Sequence, residues 1–386
     1  MATSAYDVIV IGAGHNGLVA AALLAKAGRK VLVLERRDVA GGQLANESWG
    51  EGFGLDPLHA GGSLRPDIAR ELGLSPDGAN THASYVSLLP DGGRLALRAD
   101  AAAREAIRPY SARDAERWPE FVAFMDAAAG FLDAAYRTPM PRLPTPGLRH
   151  GLPLAQLAWK LRRLGRRDMF RVLRAVTMSA LELTEEWFES EVLRAAIAAV
   201  AIHGVTLGPM SAGTGYTLMH QWLNRGGLAQ RQRTGGSGQL AADLVAALKR
   251  HGGELRTGAG VQRVRIEGQR ARGVVLADGE EIAARSVLAT ADPRHSLLDL
   301  VGAPELPPEF VWQAQSIKLR GSVAKLHWLT DGSHGLPEGT LAVAPSIRYL
   351  ERAFDAAKYG ELSAQPYLEI TTRGNVVSAH FQFAPF

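Results

Sequence analysis

The chain has 386 residues, 46% of them hydrophobic and 21% charged, with a formal net charge of +4. That length exceeds one ordinary domain and suits a globular protein with a sizeable core, while so mild and dispersed a positive charge makes no basic tract for nucleic acid. There is no cysteine, which excludes disulfides, thiolate metal sites, cysteine nucleophiles and dithiol relays, and leaves any redox chemistry to a bound cofactor.

Tyr6–Ile11 reads as a fully buried parallel strand, β-branched at Val8, Ile9, Val10 and Ile11. Gly12, Gly14 and Gly17 follow as G-x-G-x-x-G. The first glycine permits a tight turn, the second lets a pyrophosphate approach the backbone, and the third lets a helix pack close to the strand. Leu18–Ala27 is that helix, its N-terminal N–H groups directed at the phosphates and Gly28 placed to cap its other end. Lys30–Leu34 is the second strand, and Glu35 ends it, 23 positions after Gly12. An acid there accepts hydrogen bonds from ribose hydroxyls and repels a 2′-phosphate, which disfavours NADP. The loop, with Ala13 and Asn16 inside it, together with Glu35 and Arg36, is the expected dinucleotide cradle. Further on, Arg36-Arg37-Asp38 leads to Gly41-Gly42, an ERRDxxGG extension similar to the FAD signature of glutathione reductase-like flavoproteins.

Beyond it, Arg104–Tyr136 and Leu154–Ile202 carry helical apolar spacing, separated by the proline-rich connector Arg137–Gly147. Within the second stretch, Leu154, Leu157, Leu161 and Leu164 form one face while Lys160, Arg162, Arg163, Arg166 and Arg167 fall elsewhere. Such a helix suits either peripheral contact with an anionic membrane or a solvated face over a core stripe. Gly235–Leu248 opens a further helix; Gly236, Gly238 and Ala241 mimic a second glycine loop but follow polar residues rather than a strand, so no second dinucleotide site is expected. Val261–Ile266 and Arg272–Leu276 read as meander strands returning to a buried strand at Ser286–Ala289. No apolar run reaches the ~18 residues that span a bilayer; Val192–Val205 comes nearest and carries Arg194 and His203. The first strand begins too early for a leader segment, and the expected location is cytoplasmic, with peripheral membrane contact as the variant. No HExxH or carboxylate cluster stands out, so no metal site is expected. His59, His203 and His220 are candidate cavity residues, as is Tyr216, the plainer reading of each being ordinary core or surface.

Tyr6–Gly42, Thr234–Pro293 and the P-x-x-x-G-[ST]-x-Y segment within Gly204–Trp222 resemble the phytoene desaturase-related FAD oxidoreductases of the amine oxidase superfamily. They resemble best the branch named for pyridine nucleotide-disulfide oxidoreductase domains. The resemblance implies FAD as cofactor and an α/β fold, in which a glutathione reductase-like FAD-binding Rossmann domain (residues 1–75 and 226–300) carries an inserted helical/β substrate domain (76–225 and 301–386). It sets Val261 over the adenine and Ala289 and Thr290 along the nucleotide half. Lys325 matches a lysine in the relatives' substrate-domain strand, where amine oxidases use a lysine–water contact near the flavin; a strand-edge lysine is the plainer reading. Lys325 and His59 are the catalytic candidates. Relatives continue into a closing FAD motif, whereas this sequence stops at "FQFAPF". The expectation is a substrate domain incomplete at its C-terminus, with the missing segment absent, supplied by a partner chain, or lost in a degenerate relative. The implied activity is desaturation or redox-assisted isomerisation of a hydrophobic, carotenoid-like polyene. Amine oxidation and a non-catalytic flavin-fold role through a partner are the alternatives.

Overall fold

The computed structural model describes residues 6–48, 54–55, 64–75, 84–98, 101–139, 148–229, 236–319, 323–331, 334–373 and 376–382. The chain divides into two compact units, Met1–Ala79 with Arg233–Leu319, and Asn80–Gln232 with Arg320–Phe386. The first unit opens with β1 (Tyr6–Ile11), α1 (His15–Lys26), β2 (Val31–Leu34), β3 (Glu47–Ser48), β4 (Gly54–Leu55) and α2 (Pro66–Glu71). The second contributes β5 (Ser84–Leu88), β6 (Arg94–Leu97), α3 (Ala101–Ile107), α4 (Ala112–Arg137), α5 (Leu148–Arg163), α6 (Gly165–Ala175), α7 (Ala180–Trp187), α8 (Glu191–Ile202) and α9 (Thr214–Arg225). The chain then returns to the first unit with α10 (Gly236–Arg250), β7 (Glu254–Arg256), β8 (Val261–Glu267), β9 (Arg270–Leu276), β10 (Glu281–Ala289) and α11 (Pro308–Ser316). It ends in the second with β11 (Val323–Leu329), β12 (Gly339–Val343), α12 (Ile347–Lys358), β13 (Leu368–Arg373) and β14 (Val376–Gln382).

The first unit is a mixed sheet of order β7-β2-β1-β10-β9-β8. β7, β2, β1 and β10 run parallel, and β9 and β8 extend the sheet antiparallel. β1 is central, so both of its faces are apolar. Val10, with Val31 and Val33, packs under α1 and α10 through Leu18, Ala21, Ala22, Leu244 and Leu248. Ile9 and Ile11 face the opposite cluster with Leu32, Leu34 and Val274. The expected helix is present but starts earlier, at His15, and Gly28 closes it by an N–H bond to Ala25 O. β10 departs from expectation. Its end, Ser286–Ala289, is central in the sheet yet not buried: Leu288 is 36% exposed. Register with Val8 and Val10 puts Ser286 and Leu288 on the α1/α10 side, where the helical layer ends short of them.

The second unit sets helices against a sheet of order β11-β14-β13-β12-β5-β6. Its core is aromatic: Phe121 meets Trp187, Phe188 and Trp222 edge-on, with centroids 5.0–5.8 Å apart. α8, the stretch nearest to a membrane span in the sequence, is instead a core helix, with Ala195–Ile202 fully buried. Its alanines let neighbouring elements approach on every side. The P-x-x-x-G-[ST]-x-Y segment is a helix start. Thr214 Oγ1 accepts from Ala180 N at 2.7 Å, and a Cβ on Gly215 would overlap Ala175 O.

A charged group also lies in this core. Glu369 is fully buried and pairs with Arg225 Nη1 at 3.1 Å, while Tyr367 Oη donates to the same oxygen at 3.0 Å. His203 Nδ1 stands 3.5 Å from the other oxygen. Burial by itself pushes the Glu369 carboxyl up, but Arg225, with His203 and His380, overrides it and holds the group at about 2. Burial also holds the His203 and His380 imidazoles at about 4, with Glu369 pulling the other way.

Two outcomes are expected. Gly17→Ala, which would drive a Cβ into the Gly12 carbonyl oxygen, lowers stability by about 1–3 kcal/mol in thermal unfolding. Glu369→Gln strands the Arg225 charge and costs about 3–5 kcal/mol by the same measurement. The wild type has its own pH signature. Both imidazoles lie below their ordinary 6.5 when folded, so the unfolded chain binds more protons and stability falls as pH drops from 6.5 through about 4. Below 4.5 the depressed Glu369 carboxyl continues the same trend, and denaturant midpoints against pH read both.

Candidate functional site

The first unit contains a cavity of about 600 Å³, at the C-terminal ends of β1 and β2. That is where ligands sit in open parallel sheets, and the volume lies in the range of small-molecule sites. Gly12, with φ of +99°, turns the chain out of β1, and α1 begins two residues after Ala13. Gly14 occupies the N-cap position and supplies no side-chain cap. The first-turn residues His15, Asn16 and Gly17 line the cavity, and helix starts leave their N–H groups without intrahelical partners. The macrodipole adds partial positive charge there, so the cavity wall favours a phosphate.

Glu35 is buried at the end of β2, where its carboxylate accepts from Ala13 N at 2.8 Å and from Arg37 N at 2.9 Å. These bonds tie the glycine turn to the second strand. Each oxygen keeps a further lone pair, and Glu35 lines the cavity, so both remain acceptors for ribose hydroxyls. The second glycine pair returns onto the first loop: Gly41 N donates to Ala13 O at 2.8 Å. Gly42 has φ of +58°, and a Cβ on it would stand 2.9 Å from Gly14 Cα. Only glycine fits this back-to-back approach, and a shaped backbone surface facing the cavity is what a pyrophosphate group requires. The residues present therefore fit the dinucleotide.

Of the expected cofactor residues, Gly12, Gly14, Asn16, Gly17, Glu35, Arg36, Gly42, Val261 and Thr290 line this one cavity. Ala13, Gly41 and Ala289 do not line it: Ala13 is fully buried, Gly41 bonds to it, and the exposed Ala289 pairs with Ile11. Thr290 has a second task, since its Oγ1 donates to Ile11 O and Gly12 O at 3.0 and 3.2 Å. Four polar lining residues escaped sequence reading: His15, Gln43, Asp292 and His295. His15 occupies a variable position of the first glycine motif, and Gln43 directly follows the second glycine pair. Asp292 follows β10 and accepts from Arg294 N and His295 N. It was signalled only by a short polar residue ahead of a helical turn.

The remaining candidates belong elsewhere. Lys325 lies on β11 in the second unit, paired across to His380 on β14. His203 belongs to the Glu369 cluster. Tyr136 Oη bonds both Tyr216 Oη and His220 Nδ1 at 2.8 Å, and Asn224 contacts His220 Nε2 at 2.8 Å. Burial pushes Tyr136 up and His220 down. His59 lies outside the described residues. Among the described residues, no group of three or more His, Asp or Glu converges on a metal site.

A βαβ turn opened by this glycine loop, closed by an acid and covered by a second glycine pair defines an FAD-dependent oxidoreductase, with FAD as its cofactor. The family of flavin containing amine oxidoreductases matches residues 17–377, and the chain belongs to it. It is 30% identical over 437 residues to pyridine nucleotide-disulfide oxidoreductase domain-containing protein 2 of Rattus norvegicus, covering 99% of this chain and 74% of that protein. It is 28% identical to a lycopene-forming phytoene desaturase of Paracoccus sp., over 78% of this chain and 57% of the relative. Among solved structures, a putrescine oxidase triple mutant redesigned in cofactor binding superposes with a TM-score of 0.57 at 18% identity, covering 98% of this chain and 75% of that one.

Replacing Glu35 by Ala removes the ribose acceptor and frees two backbone donors. FAD affinity is expected to fall about tenfold or more, the loss of a hydrogen bond to a charged group, as read by quenching of flavin fluorescence on binding.

Proposed function

We propose that this flavoprotein acts on a hydrophobic, carotenoid-like polyene, by desaturation or redox-assisted isomerisation. The observation that carries the reading is an apolar sheet face. Leu326 and Trp328 on β11 are 49% and 45% exposed, and register sets them beside Ala379 and Val377 of β14. An oxidoreductase that works on a hydrocarbon needs such a surface more than it needs hydrogen-bonding groups. The similarity to a phytoene desaturase supports the same class. When bound, FAD supplies an acceptor for the electron pair that a desaturation releases. In this reading Lys325 and His59 are the candidate catalytic residues. Lys325 is half-exposed on β11, in register with His380 and on the sheet face opposite Leu326 and Trp328, so its candidacy rests on the family resemblance.

Amine oxidation on the same scaffold is the second reading, favoured by the family match itself. A non-catalytic role through a partner chain is the third. It is favoured by the exposed Ser286 and Leu288 of β10, a central-strand surface that another chain could cover.

Anaerobic titration of the FAD-loaded protein separates the three. A detergent-dispersed polyene such as phytoene is expected to change the visible flavin bands, while putrescine leaves them unchanged. Bleaching by the amine instead would establish the second reading. Tightly held FAD that responds to neither would favour the third.

A further inference from the structure

We infer that α5 and α6 form a docking surface for an anionic phospholipid bilayer. This inference stands apart from the choice of substrate. In the sequence, Leu154, Leu157, Leu161 and Leu164 form the apolar stripe, and the basic residues suit a membrane surface and a solvated face alike. In the structure that stripe is the inner side: all four are half-buried, and Leu161 and Leu164 pack against the core. The outer side carries a second apolar set. Leu152 and Trp159, two turns apart, are 64% and 60% exposed, and Phe170 and Leu173 on α6 are 51% and 49% exposed. Four large apolar side chains in water on two successive helices are costly, since each forgoes about 1.5–3 kcal/mol of burial.

Charge identifies what covers them. From Leu148 to Arg167 there is no Asp or Glu. Among the described residues Lys160, Arg162, Arg163 and Arg166 have no carboxylate partner, whereas Arg167 is paired with Glu120 at 2.8 Å. The Arg163 guanidinium lies 4.7 Å over the Trp159 ring. An exposed indole beside unpaired arginines matches the bilayer interface, where aromatic rings settle at headgroup depth and cationic tips reach lipid phosphates. A protein partner would be expected to meet this apolar set with its own carboxylates, and a bilayer of anionic lipid meets it everywhere along its length. The occupant is therefore the membrane surface, with Leu152, Trp159, Phe170 and Leu173 entering the headgroup–acyl boundary.

The test is co-sedimentation of the full FAD-loaded chain with vesicles of equal parts phosphatidylcholine and phosphatidylglycerol, against phosphatidylcholine alone. Binding to the mixed vesicles only is expected, weakening as salt rises. Arg162→Glu/Arg163→Glu/Arg166→Glu should lower it by about tenfold or more. Trp159→Ser/Phe170→Ser should lower it while leaving the charge intact. All five positions are on the surface, and unchanged thermal midpoints confirm that the variants fold. The tryptophan emission assigned by difference from Trp159→Phe should shift to the blue on binding. Failure of the wild type to bind mixed vesicles, or equal binding by the arginine triple variant, overturns the inference. So does lipid-free self-association that Trp159→Ser/Phe170→Ser abolishes, which would assign the patch to a second copy of the chain.

Discussion

The first unit depends on one close passage of backbone over backbone, that of α1 across the end of β1. At Gly17 the helix lies so near the Gly12 carbonyl that no side chain fits between them. That proximity has two consequences. It lets the small residues of α1 seal the apolar side of β1 and β2, and it points the helix start into the cavity beyond the strand ends. Glu35 then locks the turn from the opposite strand through Ala13, and Gly41 locks it from the next loop through the same residue. Ala13 therefore takes part in the site without touching it: its N–H and C=O hold the turn that the cofactor meets.

The second unit treats polarity differently. Register brings Lys325, His380, Glu369, Ala342 and Ser87 into a single row across β11, β14, β13, β12 and β5. The middle of the row is sealed beneath α8 and α9, where Arg225 and His203 neutralise and solvate Glu369. Its end at Lys325 is half-exposed. A buried ionic cluster of this kind adds little net stability compared with apolar packing, because desolvation consumes the attraction. What it does impose is geometry, since only one register of β13 against β14 lets the carboxylate reach both Arg225 and the histidines.

The βαβ cradle was legible because its information is local. Strand, glycine turn, helix, strand and acid follow one another within residues 6–42, each constrained by its neighbours, and nine of the expected residues line one cavity. Val261 and Thr290 joined them from far along the chain only through motif resemblance, not through any spacing. The strand at Ser286–Ala289 was legible as a strand but not in its environment. An apolar run reads the same whether or not a helix covers it, so Leu288 was expected to be buried and is not.

Sequence by itself determined the elements whose constraints are steric and short-range: the glycine turn, the acid that closes it, and the helical character of Arg104–Tyr136 and Leu154–Ile202 with its inner apolar stripe, though not α9 or α12. Tertiary structure alone decided the rest. Arg225, Glu369 and His380 are separated by up to 155 residues, and their meeting follows from strand register and helix docking, which no local pattern encodes. The same holds for the outer face of α5 and α6. Leu152, Trp159, Phe170 and Leu173 are as apolar as the leucines beside them, and only the direction from which the core approaches leaves them in water.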